Sequence, residues 1–248
     1  LKDDVLMQEI NATEKLGRIR NLCTDKTGTL TERKPVLEEV VVYNGCDSVA
    51  IGQMLAGYIF ANRDASEMAT ALRVRAAISF SGAVEASLPF SSERKYGIAW
   101  LRFADVPVAV ELGAPDILMR HFSSGDENDV LKKHIETYAA AAKRLILLAT
   151  TDGLPAGSLL GGNSLRPEAL FILRDPLRPG TGKIIDFFQK RDVRIRVISG
   201  DGPHTVQAVA LQAGMKYADM VATGPEMESW DDIEYDARVP AFPLFARD

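Results

Sequence analysis

The stretch Cys23-Thr24-Asp25-Lys26-Thr27-Gly28-Thr29-Leu30-Thr31 constrains this chain more than any other. A mixed apolar run, Ile19 to Cys23, leads into it and predicts a buried strand. The run stops at an acidic residue followed by a Gly-centred turn. In open α/β sheets ligands sit beyond the carboxyl ends of strands, which puts Asp25 where chemistry is done. Gly28 lets the backbone approach an anion closely, so that neighbouring N–H groups cradle phosphate oxygens. Thr27 and Thr29 add hydroxyls, and Lys26 adds positive charge. A carboxylate in that setting can act as a nucleophile and accept a phosphoryl group as an aspartyl phosphate. A strand-to-loop turn with a capping Asp uses the same residue types. The whole Asp-Lys-Thr-Gly-Thr run, however, is expected by chance in roughly one such chain in ten thousand.

The run Asp25 to Thr31 resembles the phosphorylation motif of the P-type cation-transporting ATPases, which belong to the haloacid-dehalogenase-like superfamily. The resemblance implies that Asp25 takes the γ-phosphate of ATP with Mg²⁺ present. It also implies roles for Lys26, Thr27 and Thr29 in that transfer, and the Asp25 carboxylate and Thr27 carbonyl as metal ligands. Phosphatases of the superfamily usually carry a second Asp two residues after the nucleophile, as general acid/base. Thr27 stands there instead; its hydroxyl titrates nowhere near neutral pH and cannot activate water in that way. A phosphoenzyme formed here is expected to be long-lived, as a transport cycle requires.

Composition narrows the setting. The 248 residues allow one or two domains, and a hydrophobic content of 46% is sufficient for a core. With 29 basic against 34 acidic residues and a net charge of −5, neither nucleic acid nor an anionic membrane is supported as the main partner. Cys23 and Cys46 fit no metal spacing and make no disulfide framework, so a reducing cytosolic setting is the default. No run reaches the ~18–20 apolar residues of a membrane-spanning helix. The nearest, Val49 to Ala61, contains Gln53 and two glycines. The acidic start, Leu1-Lys2-Asp3-Asp4, has no signal-peptide pattern. P-type ATPases are membrane proteins. The chain is therefore expected to be an excised piece from the cytoplasmic face of a membrane. It would run from just after a membrane helix to just short of the family's Gly-Asp-Gly-x-Asn-Asp loop.

Along the chain, Val5 to Thr13 reads as an approach segment, and Val5-Leu6-Met7-Gln8-Glu9 resembles the stretch before the nucleophile in one bacterial branch of the family. Glu32-Arg33-Lys34-Pro35 breaks the pattern. Val36 to Tyr43 is β-rich and ends at the Asn44-Gly45 turn signal. Ser48 to Phe60 and Ala65 to Ile78 carry helical spacing. Gly97 to Phe103 and Val106 to Leu112 predict a strand pair across Ala104-Asp105. Glu127 to Ala142 predicts a helix, Arg144 to Thr150 a short buried strand, and Leu154 to Asn163 a Gly-rich loop. Ala169 to Leu173 is apolar again. Helix and strand then alternate: Thr181 to Lys190, Val193 to Ser199, and Thr205 to Ala213 with Gly214 as its cap. A β-rich middle between two α/β ends predicts an insertion. Residues 1–34 and 175–248 form one domain, and residues 35–174 the other. The crossing at Asp175–Pro179 is either half of a two-stranded hinge or a stiff loop.

The middle also carries candidate nucleotide contacts. In Phe90-Ser91-Ser92-Glu93-Arg94-Lys95 an exposed Phe could stack on adenine and Lys95 pair with phosphate or the purine edge; core packing is the other use of such a Phe. The segment resembles the family's Phe-Ser-x-x-Arg-Lys. Leu112-Gly113-Ala114-Pro115-Asp116 is similar to Lys-Gly-Ala-Pro-Glu, with Leu112 where most members have Lys. Gly113 still offers close backbone approach, but a positive contact is lost. Lys143-Arg144-Leu145 resembles the segment whose Arg contacts ATP; a salt-bridging Arg144 is the alternative.

A second phosphate loop follows at Val197-Ile198-Ser199-Gly200-Asp201, where the Ser199 hydroxyl, the Gly200 N–H and a helix dipole can serve a transferring phosphoryl group. It resembles the family's Thr-Gly-Asp loop, which implies nucleotide contact for Asp201. Arg178, in a segment similar to Asp-Pro-Pro-Arg, would bridge nucleotide phosphates. His204 reads as a surface residue. The family's phosphate-neutralising Lys and its Mg²⁺-binding Asp lie beyond this stretch of the family pattern.

These observations lead to one reading. The chain is the headpiece of an ATP-driven cation transporter: a truncated Rossmannoid α/β phosphorylation domain with an inserted α+β nucleotide-binding domain. Its expected partners are ATP and the membrane and actuator domains of the same transporter. As given, it is expected to bind nucleotide but turn it over poorly. The alternatives are a haloacid-dehalogenase-like phosphatase with a large cap, which Thr27 argues against, and a nucleotide-binding module without catalysis.

Overall fold

Alternation along the strands and helical spacing between them build two sheets in this chain, one packed on both faces. A computed structural model describes residues 12–74, 79–122, 126–141, 143–152 and 165–247. The chain divides into a first unit, Leu1–Thr31 with Leu177–Asp248, and a second, Glu32–Pro176. In chain order the first unit opens with α1 (Ala12–Gly17) and β1 (Asn21–Asp25). The second unit then supplies β2 (Val36–Val42), α2 (Ser48–Ala61), α3 (Glu67–Leu72), β3 (Ala83–Leu88) and β4 (Tyr96–Phe103). It continues through β5 (Val106–Gly113), α4 (Pro115–Leu118), α5 (Asp126–Ala140), β6 (Arg144–Asp152) and β7 (Arg166–Arg174). The first unit resumes with α6 (Thr181–Gln189), β8 (Arg194–Ile198) and α7 (Pro203–Gln212). It ends with β9 (Val221–Thr223), α8 (Gly224–Glu228), α9 (Asp232–Arg238) and β10 (Leu244–Ala246).

The first unit is a parallel sheet in the order β1-β8-β10-β9. β1 and β8 run parallel, from Asn21 against Arg194 to Asp25 against Ile198; β1 is not the buried strand expected over Ile19–Cys23, because it lies at the sheet edge with its residues exposed or half-buried. The core face of β8 holds Ile195 and Val197, while Arg194 and Ile198 point outward. Helix α7 answers with Val206, Val209 and Ala210, an i, i+3, i+4 set buried against Val197 and Leu244. This helix starts two residues earlier than Thr205. Pro203 fits a first turn, where its missing N–H needs no partner. Gly214, at φ 79°, closes the helix end.

The second unit is a six-stranded sheet in the order β2-β7-β6-β5-β4-β3, antiparallel at every pairing. The expected strand pair is the β4–β5 hairpin, each strand one residue longer than its pattern suggested. Ala104 at φ 44° and Asp105 at φ 72° make the two-residue turn whose twist matches the strands. One face packs Leu101, Val110 and Phe171 under Leu55 and Tyr58 of α2 and Leu72 of α3. The other packs Ile98, Trp100, Leu147 and Leu170 under Leu118 of α4 and Leu131 of α5. Of the helix expected over Ala65–Ile78 the described residues hold α3, whose start is capped by the Ser66 hydroxyl accepting from the Ala69 N–H at 3.1 Å; residues 75–78 lie outside the described residues. The expected loop Leu154–Asn163 and the approach segment before Ala12 lie outside the described residues. A parallel α/β unit interrupted by an antiparallel α+β unit is the architecture that the resemblance implied.

An ionisable residue sits inside the second unit's sheet. Glu111, in β5, is only 1% exposed, and its Oε2 has no hydrogen-bond partner. Burial pushes its carboxyl up to about 9.

Candidate active site

The loop after β1 is shaped by one turn. Thr27 (φ −79°, ψ 117°) and Gly28 (φ 78°, ψ 0°) occupy the two central positions of a type II β-turn, the second of which requires positive φ and so favours glycine. The turn is closed from behind. The Thr31 N–H donates to the Lys26 carbonyl at 3.0 Å, the Arg178 N–H to the Leu30 carbonyl at 2.9 Å, and the Thr181 hydroxyl to the same Leu30 carbonyl at 3.1 Å. Arg178, an expected phosphate contact, thus holds the loop by its backbone while its side chain is exposed.

Parallel pairing of β1 with β8 sets the loop beside the second phosphate loop. Asp25 is exposed and opens on a cleft of about 460 Å³ lined by Cys23, Thr24, Asp25, Ile198, Ser199 and Gly200. A Cβ at Gly200 would meet nothing within 4 Å. The protein's own packing gives no reason for glycine there, and the open space suits close approach of a ligand to its N–H.

Behind the cleft, one carboxylate joins the two loops. Asp201 Oδ2 lies 2.5 Å from Lys26 Nζ, accepts from the Ser199 hydroxyl at 3.1 Å and from the Thr27 hydroxyl at 3.4 Å. The Asp201 N–H in turn donates to Ser199 Oγ at 3.2 Å. Lys26 is fully buried (0% exposed), so its ammonium is committed to Asp201 rather than presented to the cleft. Of the residues expected in phosphoryl transfer, Asp25, Ser199 and Gly200 line the cleft. Lys26, Thr27 and Asp201 form the support behind it, and Thr29 is exposed on the loop.

That support is testable. Asp201→Ala takes the carboxylate from a buried ammonium and is expected to cost on the order of 3–5 kcal/mol. Lys26→Met should cost less, because Asp201 is 30% exposed and can turn to water. Urea unfolding of the first unit, followed at Trp230, measures both. Equal costs for the two single variants would show that the ion pair does not hold the loops.

Oxygen donors are what Mg²⁺ takes, in an octahedron that keeps several waters. The Asp25 carboxylate and the Thr27 carbonyl fit that ion in kind. Among the described residues no group of three or more His, Cys, Asp or Glu is placed to hold a metal. Phosphate and water oxygens would have to complete such a shell.

In the second unit, the β4–β5 register pairs Tyr96 with Gly113 and brings Gly113 beside Lys95. Phe90 lies on the connection before β4 and is 51% exposed, so it is not a core residue. Lys95 sits at φ 62°, its N–H donating to the Ser91 carbonyl at 2.7 Å and its carbonyl accepting from Ala114 N–H at 2.9 Å. A Cβ at Gly113 would come within 2.4 Å of Tyr96 Cβ and 2.6 Å of the Lys95 carbonyl. Packing against the neighbouring strand therefore already requires glycine at this position. Arg144, at the start of β6, donates to Asp175 at 2.9 Å, so the salt-bridging alternative is realised in this structure. Spacing gave no sign of the Lys26–Asp201 link or of the Ile198 rim. Both arise from pairing between segments far apart in the chain.

Residues 19–230 match the haloacid dehalogenase-like hydrolase family. The chain is 31% identical over 211 residues to the probable cation-transporting ATPase exp7 of Streptococcus pneumoniae, covering 85% of this chain and 26% of that protein. It is 30% identical over 211 residues to the calcium-transporting ATPase CtpE of Mycobacterium bovis, covering 85% and 25% respectively. To the magnesium-transporting ATPase, P-type 1, of Salmonella typhimurium it is 27% identical over 272 residues, covering 98% and 29%. The chain thus spans about a quarter of the length of these relatives. Among the described residues no helix is long and apolar enough to cross a membrane.

Proposed function

The chain belongs to the haloacid dehalogenase-like hydrolases, and from that premise we propose that it is the catalytic headpiece of an ATP-driven cation transporter in which Asp25 becomes phosphorylated. The observation that carries this reading is the exposed Asp25 carboxylate at the end of β1, in one cleft with Ser199 and Gly200. A carboxylate oxygen of Asp25 attacks the γ-phosphorus of ATP, the bond to the bridging oxygen breaks, and ADP leaves. The Gly200 N–H donates to the oxygens of the group in transfer, where charge develops, and the Ser199 hydroxyl joins it when its hydrogen turns from Asp201 to the phosphoryl group. Mg²⁺, bound through the Asp25 carboxylate and the Thr27 carbonyl, would offset the negative charge shared by nucleophile and phosphate. Asp201 keeps Lys26 and Ser199 in place, and Thr27 leaves the product without a nearby general base.

In the second unit we assign the adenine to Phe90 and nucleotide contacts to Lys95 and Arg144; in the first unit we assign a phosphate contact to the exposed Arg178. Phe90→Ala is expected to weaken ATP binding by about 1–3 kcal/mol, by analogy with base stacking on aromatics. Calorimetric titration of the chain with ATP measures it, and equal affinity in both proteins would remove Phe90 from the site. The proposed chemistry is tested with γ-labelled ATP and Mg²⁺ in a protein of the relatives' length that contains this chain. The expected product is an acid-stable label that hydroxylamine releases. A label stable to hydroxylamine would mean that no acyl phosphate forms.

A further inference from the structure

The first unit carries a second cleft, at the opposite end of β8 from the phosphate loops. Asp25 pairs with Ile198, the last residue of β8, whereas the second cleft is built around Arg194, the first. Its volume is about 900 Å³, within the roughly 300–1,000 Å³ of small-molecule sites. The floor is apolar, with Val193 and Met215 from the buried core and Phe242 from the segment before β10. Phe242 is fixed in turn by the Trp230 ring, whose centroid lies 5.8 Å away.

The charge on its walls runs against that of the chain. The chain carries a net −5, yet the cleft is lined by the three cations Arg194, Arg196 and Lys216, with Asp192 as the single acid among the lining residues. Arg196 donates to the carbonyls of Val239 at 2.9 Å and Pro240 at 3.1 Å, neutral acceptors that fix one wall without cancelling its charge. Arg194 and Lys216 are exposed at the rim. An apolar floor beneath a cationic rim selects a ligand with an apolar body and an anionic head. We propose that this cleft binds an organic anion of that kind, an alkyl or aryl phosphate or carboxylate, independently of the nucleotide chemistry at Asp25.

Monomeric lauroyl lysophosphatidate is a suitable probe, titrated calorimetrically into the purified chain. The expected result is saturable one-to-one binding, weakened tenfold or more by either Arg194→Glu or Lys216→Glu. Both are exposed positions, and circular dichroism checks that the fold is kept. Ala241→Trp, which fills the cleft from its exposed side, should abolish binding. Glycerol 3-phosphate, the head alone, should bind at least tenfold more weakly than the whole amphiphile. Phosphatidylglycerol vesicles distinguish the cleft from a bilayer surface. Recruitment to vesicles without binding of the monomer would overturn the proposal. So would equal affinity for glycerol 3-phosphate, equal affinity for dodecyltrimethylammonium, or binding that Ala241→Trp and both charge reversals leave unchanged.

Discussion

In a protein of the relatives' length that contains this chain, Asp25→Asn is expected to reduce acid-stable phosphate incorporation at least about a thousand-fold, to background. The amide is nearly isosteric and keeps the loop's geometry, so the loss reports the missing nucleophile and not a collapsed site. Nothing else that lines the cleft can replace it as an acyl-phosphate former, since its other residues are Cys23, Thr24, Ile198, Ser199 and Gly200. Thr27→Asp is the informative companion. It installs a titratable carboxylate where phosphatases of the superfamily keep their general acid/base, and should shorten the phosphoenzyme lifetime about 10²–10⁴-fold. Thr27 Oγ1 already lies 3.4 Å from Asp201 Oδ2, so the new carboxylate also meets a like charge. Thr27→Asn, with the same shape and no charge, controls for that. Quench-flow measurement of label decay separates the variants. An unchanged lifetime in Thr27→Asp would show that the residue at 27 does not set the stability of the intermediate.

The second large effect concerns stability. Glu111 ionises at about 4.5 when free, but burial raises its carboxyl to about 9 in the folded protein. Below pH 4.5 both states hold the proton, and the buried acid carries no ionisation penalty. As pH rises through that value the unfolded chain loses its proton while the folded one keeps it. Stability therefore falls with pH until about 9, by up to roughly 6 kcal/mol at 1.36 kcal/mol per unit. Against a typical total of 5–15 kcal/mol this is a large fraction. Glu111→Gln removes the titration, and Glu111→Leu also removes the orphaned Oε2. Both should be more stable than the parent at pH 8, with the advantage shrinking towards pH 5. Trp100 lies two residues along β4 from Ile98, the register partner of Glu111, and reports unfolding of this unit. A pH-independent difference between parent and Glu111→Gln would mean that Glu111 is ionised in the fold.

Much of this could be read from the chain because local chemistry sets it. The Asp25–Thr31 run specifies a strand end, a positive-φ glycine and a ring of donors within one short segment. Its type II turn at Thr27–Gly28 is what those residues favour wherever they occur. The apolar spacing of Val206, Val209 and Ala210, the alternation of Ile195 and Val197, and the turn at Ala104–Asp105 are equally local. The segments after Gly214 were harder. β9 and β10 hold three residues each, too short for a periodicity to show, and exist because β8 and each other offer edges to pair with.

What the sequence by itself determined is the local pattern: an acidic residue at a strand end, a Gly-centred turn after it with Thr and not a second acid at position 27, and which segments alternate as strands or helices. The tertiary structure alone decided where charges go. Lys26 looked like a cation facing phosphate, yet it is buried against Asp201, a residue remote in the chain that reaches it only because β1 and β8 pair. Gly113 was read as a point of close backbone approach for a ligand, and packing against Lys95 and Tyr96 already requires glycine there. Glu111 carries no distinguishing signal in the sequence, yet it is buried in a sheet that helices cover on both faces. The physical reason is common to all three. Residue type and spacing fix local conformation, whereas burial and electrostatic partnership depend on which distant segments pack together.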